Sequence, residues 1–421
     1  MTTDHAYLLP PLPWPGEPLS HEAGSPFLRA PEGARTIFVV TLLAVCAPLA
    51  GGLVLFGWRA AGVTGLSVAG CMITERLYYR VTRIPALLGR AHAALTGVLL
   101  ALTLPAFVPW YVPVVAAAFA IVVGKAVFGG VGHFVWQPAL VGRLAVAVIF
   151  STQVTVASTS LPNRQPVLAH DRLVLGDVRS AAYADDTEAW RSAPARPNTD
   201  ALLLTPPRRI LRGLTHARKP QFSAFVFRPV GRKDAAPAAL LQAPPIHNLM
   251  YGARPGGTGE TSIILIAVAG LYLIYRSYLK WELPLAFVAA AWTTVAIAPV
   301  YFLGPERSVQ TCWLPLLTPE GFGVAFTYIN YQLLCGGLPL AVLLVSAETT
   351  SRPVTTGGQV LFGLGCGVLA MVLQLYTDMS IPWAMAVLAM NTLTPTIDRL
   401  WRPRVFGTRR LAFLRGPERA C

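Results

Sequence analysis

The stretch GKAVFGGVGHFVWQPALVGR at 124–143 holds the residues best suited to chemistry in this chain. Gly129, Gly130 and Gly132 permit an unwound backbone with available N–H and C=O groups, because glycine enters left-handed conformations without steric cost. Lys125 and Arg143 flank the break, and Gln137-Pro138 opens the segment that follows. Such a break between apolar segments suits a polar cofactor or substrate at the positive end of a half-helix. A connecting loop with snorkelling cations accounts for the same pattern equally well. A second glycine-rich segment, GARPGGTGETS at 252–262, precedes another apolar run. There Thr258 or Thr261 is placed to cap a helix, and Glu260 to meet its N-terminal dipole.

Acids within apolar segments are costly and mark candidate functional positions. Glu75, Glu348 and Asp398 qualify, and each has an arginine nearby (Arg76, Arg352 and Arg399), so interfacial ion pairs are expected. The six cysteines are dispersed without a C-x-x-C pair, which excludes a disulfide framework and speaks against a zinc or iron–sulfur site. The seven histidines, His92 and His133 among them, lack metal-ligand spacing and are expected to be structural. No hydrolase triad or phosphate-binding loop occurs, and GGVGHF lacks the strand-and-helix context of a dinucleotide fingerprint.

The elements that must position these residues follow from composition. Of 421 residues, 54% are hydrophobic and only 13% charged, against about 25% charged in soluble domains. That excludes an ordinary soluble enzyme and a disordered chain. Apolar runs fall at 36–58, 61–79, 91–107, 110–129, 138–157, 262–280, 283–302, 325–347, 358–376 and 382–398. Spanning a bilayer takes about 20 apolar residues as a helix, so the expected fold is an all-α polytopic membrane protein of about ten transmembrane helices. The net charge of +14 would suggest nucleic acid in a soluble domain, but here the cations lie in loops between apolar runs and are read as orienting charge. Arg76, Arg80, Arg83, Arg90, Lys125, Arg276, Lys280, Arg352 and the arginine-rich tail share one side if there are ten spans. Both termini are then cytoplasmic.

Five segments result: a cytoplasmic N-terminal segment at 1–35, a five-helix block at 36–157, an extracytoplasmic loop at 158–260, a second five-helix block at 261–398, and a basic cytoplasmic tail at 399–421. The long loop contains twelve prolines, so much of it is expected to be irregular, with some strand in FSAFVF at 222–227. An odd number of helices per block gives two similar blocks opposite senses, as in inverted-repeat transporters. GVLLALTLP at 97–105 and CGGLPLAVLL at 335–344 are weakly alike. An inverted repeat and the chance matching of small and apolar residues explain this equally well.

The run SRPVTTGGQVLFGLGCGVLAMVLQLYTD, followed by PWAMAVLAMNTLTPTIDRLWRPRVFG, resembles the last two helices of the family that includes the D subunit of the Rnf electron-transport complex and the B subunit of the sodium-translocating NADH:quinone reductase. SPFLRAPEGARTIFVVTLLAV, LTGVLLALTLP, the 124–143 stretch and GGTGETS follow in family order. The resemblance implies two inverted five-helix blocks, an FMN joined through phosphate to a threonine of the outer loop, and a non-covalent riboflavin between helices. It implies a subunit of a redox-driven ion translocase in the bacterial inner membrane, partnered by the other subunits of the complex and by lipid, rather than a stand-alone enzyme. Lys125, Gly129, Gly130, Gly132 and Asn391 are the expected surroundings of the riboflavin.

The family's attachment site reads roughly D-x-x-[ST]-G-A-T-P-L. TDALLLTPPRRI at 199–210 places Thr205 as the FMN acceptor and Asp200 as the acid, but Leu202, Leu203 and Leu204 replace the small residues, and bulky leucines oppose access by a flavin-transferring enzyme. The other reading of DALLLTPP is a short apolar helix. SAETTSRPVT stands where the family has T-D-P-V-T, so Glu348 is the expected acid of an ion path. The competing classes are a flavin-free transporter or channel for a small solute or ion on the same scaffold, and a structural anchor whose basic tail holds anionic lipid or a partner.

Overall fold

The computed structural model describes residues 33–83, 91–158, 160–162, 201–203, 246–252, 256–303, 309–312, 322–377 and 379–401. Every apolar run carries helix: α1 (Ala34–Phe56), α2 (Trp58–Thr82), α3 (Ala91–Thr103), α4 (Tyr111–Ile121), α5 (Pro138–Ile149) with α6 (Ser151–Ser158), α8 (Ile263–Tyr275), α9 (Glu282–Ile297), α10 (Phe322–Cys335) with α11 (Leu338–Ala347), α12 (Thr356–Tyr376) and α13 (Pro382–Leu400). A short α7 (Ile246–Tyr251) precedes α8. Two of these, α1 and α12, are singly long and apolar enough to cross a membrane, and α10 with α11 forms a third candidate span bent by 51°. The shorter helices end where the sequence interrupts them. Helix α4 loosens into a π turn (Val122–Ala126), α5 starts on Pro138 after an extended Gln137, and α10 gives way at Gly336–Gly337, where Gly337 has φ +29°.

Two antiparallel ribbons accompany the helices: β1 (Ser160–Pro162) with β2 (Ala201–Leu203), and β3 (Val300–Leu303) with β4 (Val309–Cys312). Leu202 and Leu203 of DALLLTPP therefore lie in a strand, not a helix. Pro206-Pro207 just beyond would remove the amide donors a helix needs. Thr205 and the FSAFVF stretch lie outside the described residues.

Helices approach through small residues, the packing mode available where lipid and side chains are equally apolar. Gly363 and Gly367 lie one turn apart on α12, and a Cβ at Gly363 would stand 2.8 Å from the carbonyl oxygen of Leu283 on α9. A Cβ at Gly97 on α3 would stand 2.6 Å from Val68 Cα on α2. Outward positions such as Leu43, Ile73, Leu77, Val148, Leu271 and Leu285 leave an apolar surface exposed.

The loop before α8 and helix α5 meet at the C-terminal end of α3. The last four carbonyls of a helix lack intrahelical partners. Thr103 Oγ1 serves Leu100 O at 2.7 Å. The loop before α8 serves two more: Thr258 donates its hydroxyl to Ala101 O, and Gly259 N donates to Leu102 O at 2.8 Å. Arg143 Nε donates to Thr103 O at 2.9 Å, and Thr258 N extends the contact to Leu104 O at 2.9 Å. Ser262, not Thr258 or Thr261, caps α8, accepting from Leu265 N at 3.4 Å. Thr258 is unavailable because its hydroxyl is turned to α3. Glycine is required for this approach, since a Cβ at Gly259 would stand 2.5 Å from Leu102 Cδ2 and one at Gly257 would stand 2.9 Å from Leu102 O.

Gly259→Val is therefore expected to lower stability by about 1–3 kcal/mol through overpacking. Gly62→Ala, at a position with no heavy atom within 4 Å, is expected to be neutral or slightly stabilising. Thermal unfolding in detergent, followed by circular dichroism, checks both.

Candidate functional site

The glycine turn forms as its residues demand. Gly129, Gly130 and Gly132 have φ of +100°, +99° and +93°. No atom lies within 4 Å of a Cβ built at Gly132, so the requirement there is conformational and not one of space. Immediately before the turn, Lys125 occupies the π turn and is fully buried. Its ammonium is ion-paired with Glu75 of α2. Glu75 thus finds its partner across the bundle and not in the adjacent Arg76. Tyr78 of α2 donates its hydroxyl to Ala126 O at 3.3 Å and fixes the same turn.

Asn391 sits on a second surface, where the start of α5 meets α11 and α13. With its amide oriented to satisfy both neighbours, its nitrogen donates to Ser351 O at 3.3 Å and its oxygen accepts from Gln137 N at 3.2 Å. Gln137 Nε2 donates to Leu344 O at 3.0 Å, and Thr394 Oγ1 to Ser351 O at 3.1 Å. The polar ends of Asn391 are therefore engaged by the backbone of Ser351 and Gln137.

Glu348, at the end of α11, faces α3. One of its oxygens lies 3.6 Å from His92 Nε2 on α3, and the other accepts from Thr350 Oγ1 at 2.8 Å. His92 is fully buried, with Phe38 edge-on at 5.0 Å and Phe134 at 5.5 Å between ring centroids. Arg352, the expected partner of Glu348, lies within electrostatic reach of it and donates to Tyr278 O at 2.7 Å. Asp398 accepts from Val354 N at 3.2 Å, so it ties down the loop before α12 and does not pair with Arg399.

The expected site residues are thus divided. Lys125 and the glycine turn lie with α2, Asn391 with Gln137 between the blocks, and Glu348 with His92. A further polar centre was not anticipated: Arg143 reaches Thr103 O at the capped end of α3, within electrostatic reach of Glu260. Among the described residues, the buried side-chain atoms without a hydrogen-bond partner include Arg143 Nη1, Gln137 Oε1 and Thr261 Oγ1. A charged residue in the middle of an apolar helical pattern, as in PALVGRLAVAVI, was the available signal.

Residues 21–407 match the model of the NQR2, RnfD, RnfE family. The chain belongs to this family and is a multi-pass membrane protein. It is 29% identical over 398 residues to the D subunit of the ion-translocating oxidoreductase complex of Halorhodospira halophila, covering 93% of this chain and 97% of that one. Similar coverage, 92% and 96%, relates it at 26% identity to the D subunit of the proton-translocating ferredoxin:NAD(+) oxidoreductase complex of Clostridium ljungdahlii. The D subunit of the Na(+)-translocating ferredoxin:NAD(+) oxidoreductase complex of Acetobacterium woodii is 25% identical, with the same coverage.

Removing one partner of the buried ion pair leaves an uncompensated charge. Lys125→Met is expected to cost about 3–5 kcal/mol, and the double replacement Glu75→Leu with Lys125→Met to recover most of it. A double-mutant cycle on thermal unfolding measures the coupling; additive losses would show that the two side chains do not act as a pair.

Proposed function

We propose that this chain is the membrane subunit of an Rnf-type electron-transport complex that couples redox energy to translocation of Na+ or H+. The observation that carries this reading is similarity running nearly end to end into the D subunits of such complexes. Relatives named for a proton and for a sodium ion lie at 26% and 25% identity, so similarity does not select the coupling ion.

In this reading the ten apolar runs are ten spans in two inverted blocks, in the bacterial inner membrane with both termini cytoplasmic. The broken helices α4 and α10–α11 and the capped end of α3 support it, because irregular backbone survives at membrane depth only where protein or a cavity covers it. Companion subunits of the complex supply and remove electrons.

Flavin is the cofactor proposed. Thr205 is the acceptor for FMN, two residues after the strand Ala201–Leu203 in sequence. For a non-covalent riboflavin, the residues of this chain fit unequally. Lys125 and Asn391 are already satisfied by Glu75, Ser351 and Gln137. Gly129, Gly130 and Gly132 offer backbone. Arg143 and Thr261 offer buried donors without partners, and Gln137 an acceptor. A bound flavin would supply the redox chemistry, while these side chains orient it and exclude water. Glu348, facing His92 between the blocks, is the acid proposed for the ion path.

Expressing the chain with its companion subunits and a flavin transferase is expected to give an in-gel fluorescent band that Thr205→Val abolishes. A non-fluorescent wild type overturns covalent attachment. Absence of any flavin, with solute or ion flux in vesicles, overturns the redox reading in favour of a transporter.

A further inference from the structure

His92 on α3 and Glu348 at the end of α11 are both buried, 0% and 2% exposed, and the hydrogen bonds around them fix where protons can sit. Thr96 has one hydroxyl proton, and it donates that proton to His92 O at 2.9 Å. The 3.4 Å contact between Thr96 Oγ1 and His92 Nδ1 must then take its proton from the ring, so Nδ1 is the protonated nitrogen. In the neutral imidazole Nε2 is left as a bare acceptor. That atom is buried, has no hydrogen-bond partner among the described residues, and stands 3.6 Å from Glu348 Oε2.

A nitrogen lone pair and a carboxylate oxygen thus face each other away from water. One added proton resolves the conflict. Placed on Nε2, it makes an imidazolium opposite the carboxylate, and the pair is neutral overall. Without it, a neutral imidazole stands beside a buried carboxylate, an arrangement that burial disfavours. The other carboxylate oxygen is occupied by Thr350 Oγ1 at 2.8 Å. Of the charged groups on neighbouring elements, Arg352 lies within electrostatic reach of Glu348 while donating to Tyr278 O. On α2, which packs against α3 at Gly97, the buried acid Glu75 is paired with Lys125.

The surroundings suit a proton and not a metal cation. A hard cation takes several oxygen ligands. Here Glu348 Oε2 meets an imidazole nitrogen, and that ring is flanked by Phe38 of α1 and Phe134 of the turn before α5, with ring centroids 5.0 and 5.5 Å away. We propose that His92 and Glu348 jointly hold one exchangeable proton, so that H+ and not Na+ is the ion loaded at this acid. Loading moves a proton from water onto Nε2, and release returns it to water; no electron and no other bond is involved. The proposal rests on the reading of Glu348 as the acid of the ion path, and it assigns the choice of ion to His92.

Histidine 15N spectra of the purified full-length protein, with the His92 signals assigned by their loss in His92→Gln, are expected to show a proton on Nδ1. A neutral His92 protonated on Nε2 alone would make an ordinary hydrogen bond to Glu348, and finding it overturns the assignment without any transport measurement. In vesicles holding the assembled complex, electron transfer in sodium-free buffer is expected to move protons, read with a lumenal pH dye, and added radioactive sodium is expected to stay outside. His92→Gln, which cannot take up a proton, is expected to lower the protons moved per electron to about a tenth or less; gel filtration and thermal unfolding verify that it folds. A folded variant that moves protons as the wild type does overturns the role of His92. A wild type that takes up sodium and moves no protons in sodium-free buffer overturns this inference and leaves the proposed function standing. A wild-type complex that moves neither ion overturns both.

Discussion

A helix that ends inside an apolar bundle must find acceptor partners from protein, because no water is present to take its last carbonyls. The end of α3 is the place where this constraint governs the structure. Leu100, Ala101, Leu102 and Thr103 have their carbonyls met by a threonine of the helix itself, by Thr258 and Gly259 of the loop before α8, and by Arg143 of α5. Much else follows from that cap. Gly257 and Gly259 are glycine because the loop backbone lies directly on α3. Gly52 of α1 must also be small, since a Cβ there would overlap the Thr258 carbonyl. The glycine break of α10–α11 is brought against Glu260 of the same loop.

The other polar groups show a second rule of an apolar interior, that buried charge and amide must be satisfied locally or carry a function. Glu75 with Lys125 is an ion pair within the first block. Gln137 and Asn391 bind backbone across the blocks. Apart from Gln137 Oε1, which has no partner among the described residues, the bonds of these clusters go to protein groups and tie down the glycine turn and the contact between α5 and α13. Arg143 differs, since one bond leaves most of its donors over.

The helices were legible from the apolar runs alone, because in a membrane protein hydrophobicity and element length report the same constraint. Their interruptions were legible in part. Gly129, Gly130 and Gly132 announced the left-handed turn, and Pro138 announced the start of α5. Long-range pairing was not legible: Lys125, 50 residues from Glu75, won over the adjacent Arg76, and backbone from a distant helix took the Thr258 hydroxyl expected to cap α8. Such choices depend on which helices become neighbours, information that local periodicity does not carry. The leucines at 202–204 misled in a different way. They read as helix by composition, but residues 201–203 pair with the chain leaving α6.

The cap on α3 also bears on how the protein is made. Thr258 follows Ala101 by 157 residues. At a synthesis rate of about 5–20 residues per second, the interval between the emergence of one and the other is on the order of ten seconds. During that time the end of α3 is in the membrane, or at its edge, without the loop that completes it. The helices that precede the long connection therefore lack part of their final hydrogen bonding until the loop before α8 is made. A chain stalled before Thr258 would lack the hydroxyl and the amide that complete the carbonyls at the end of α3.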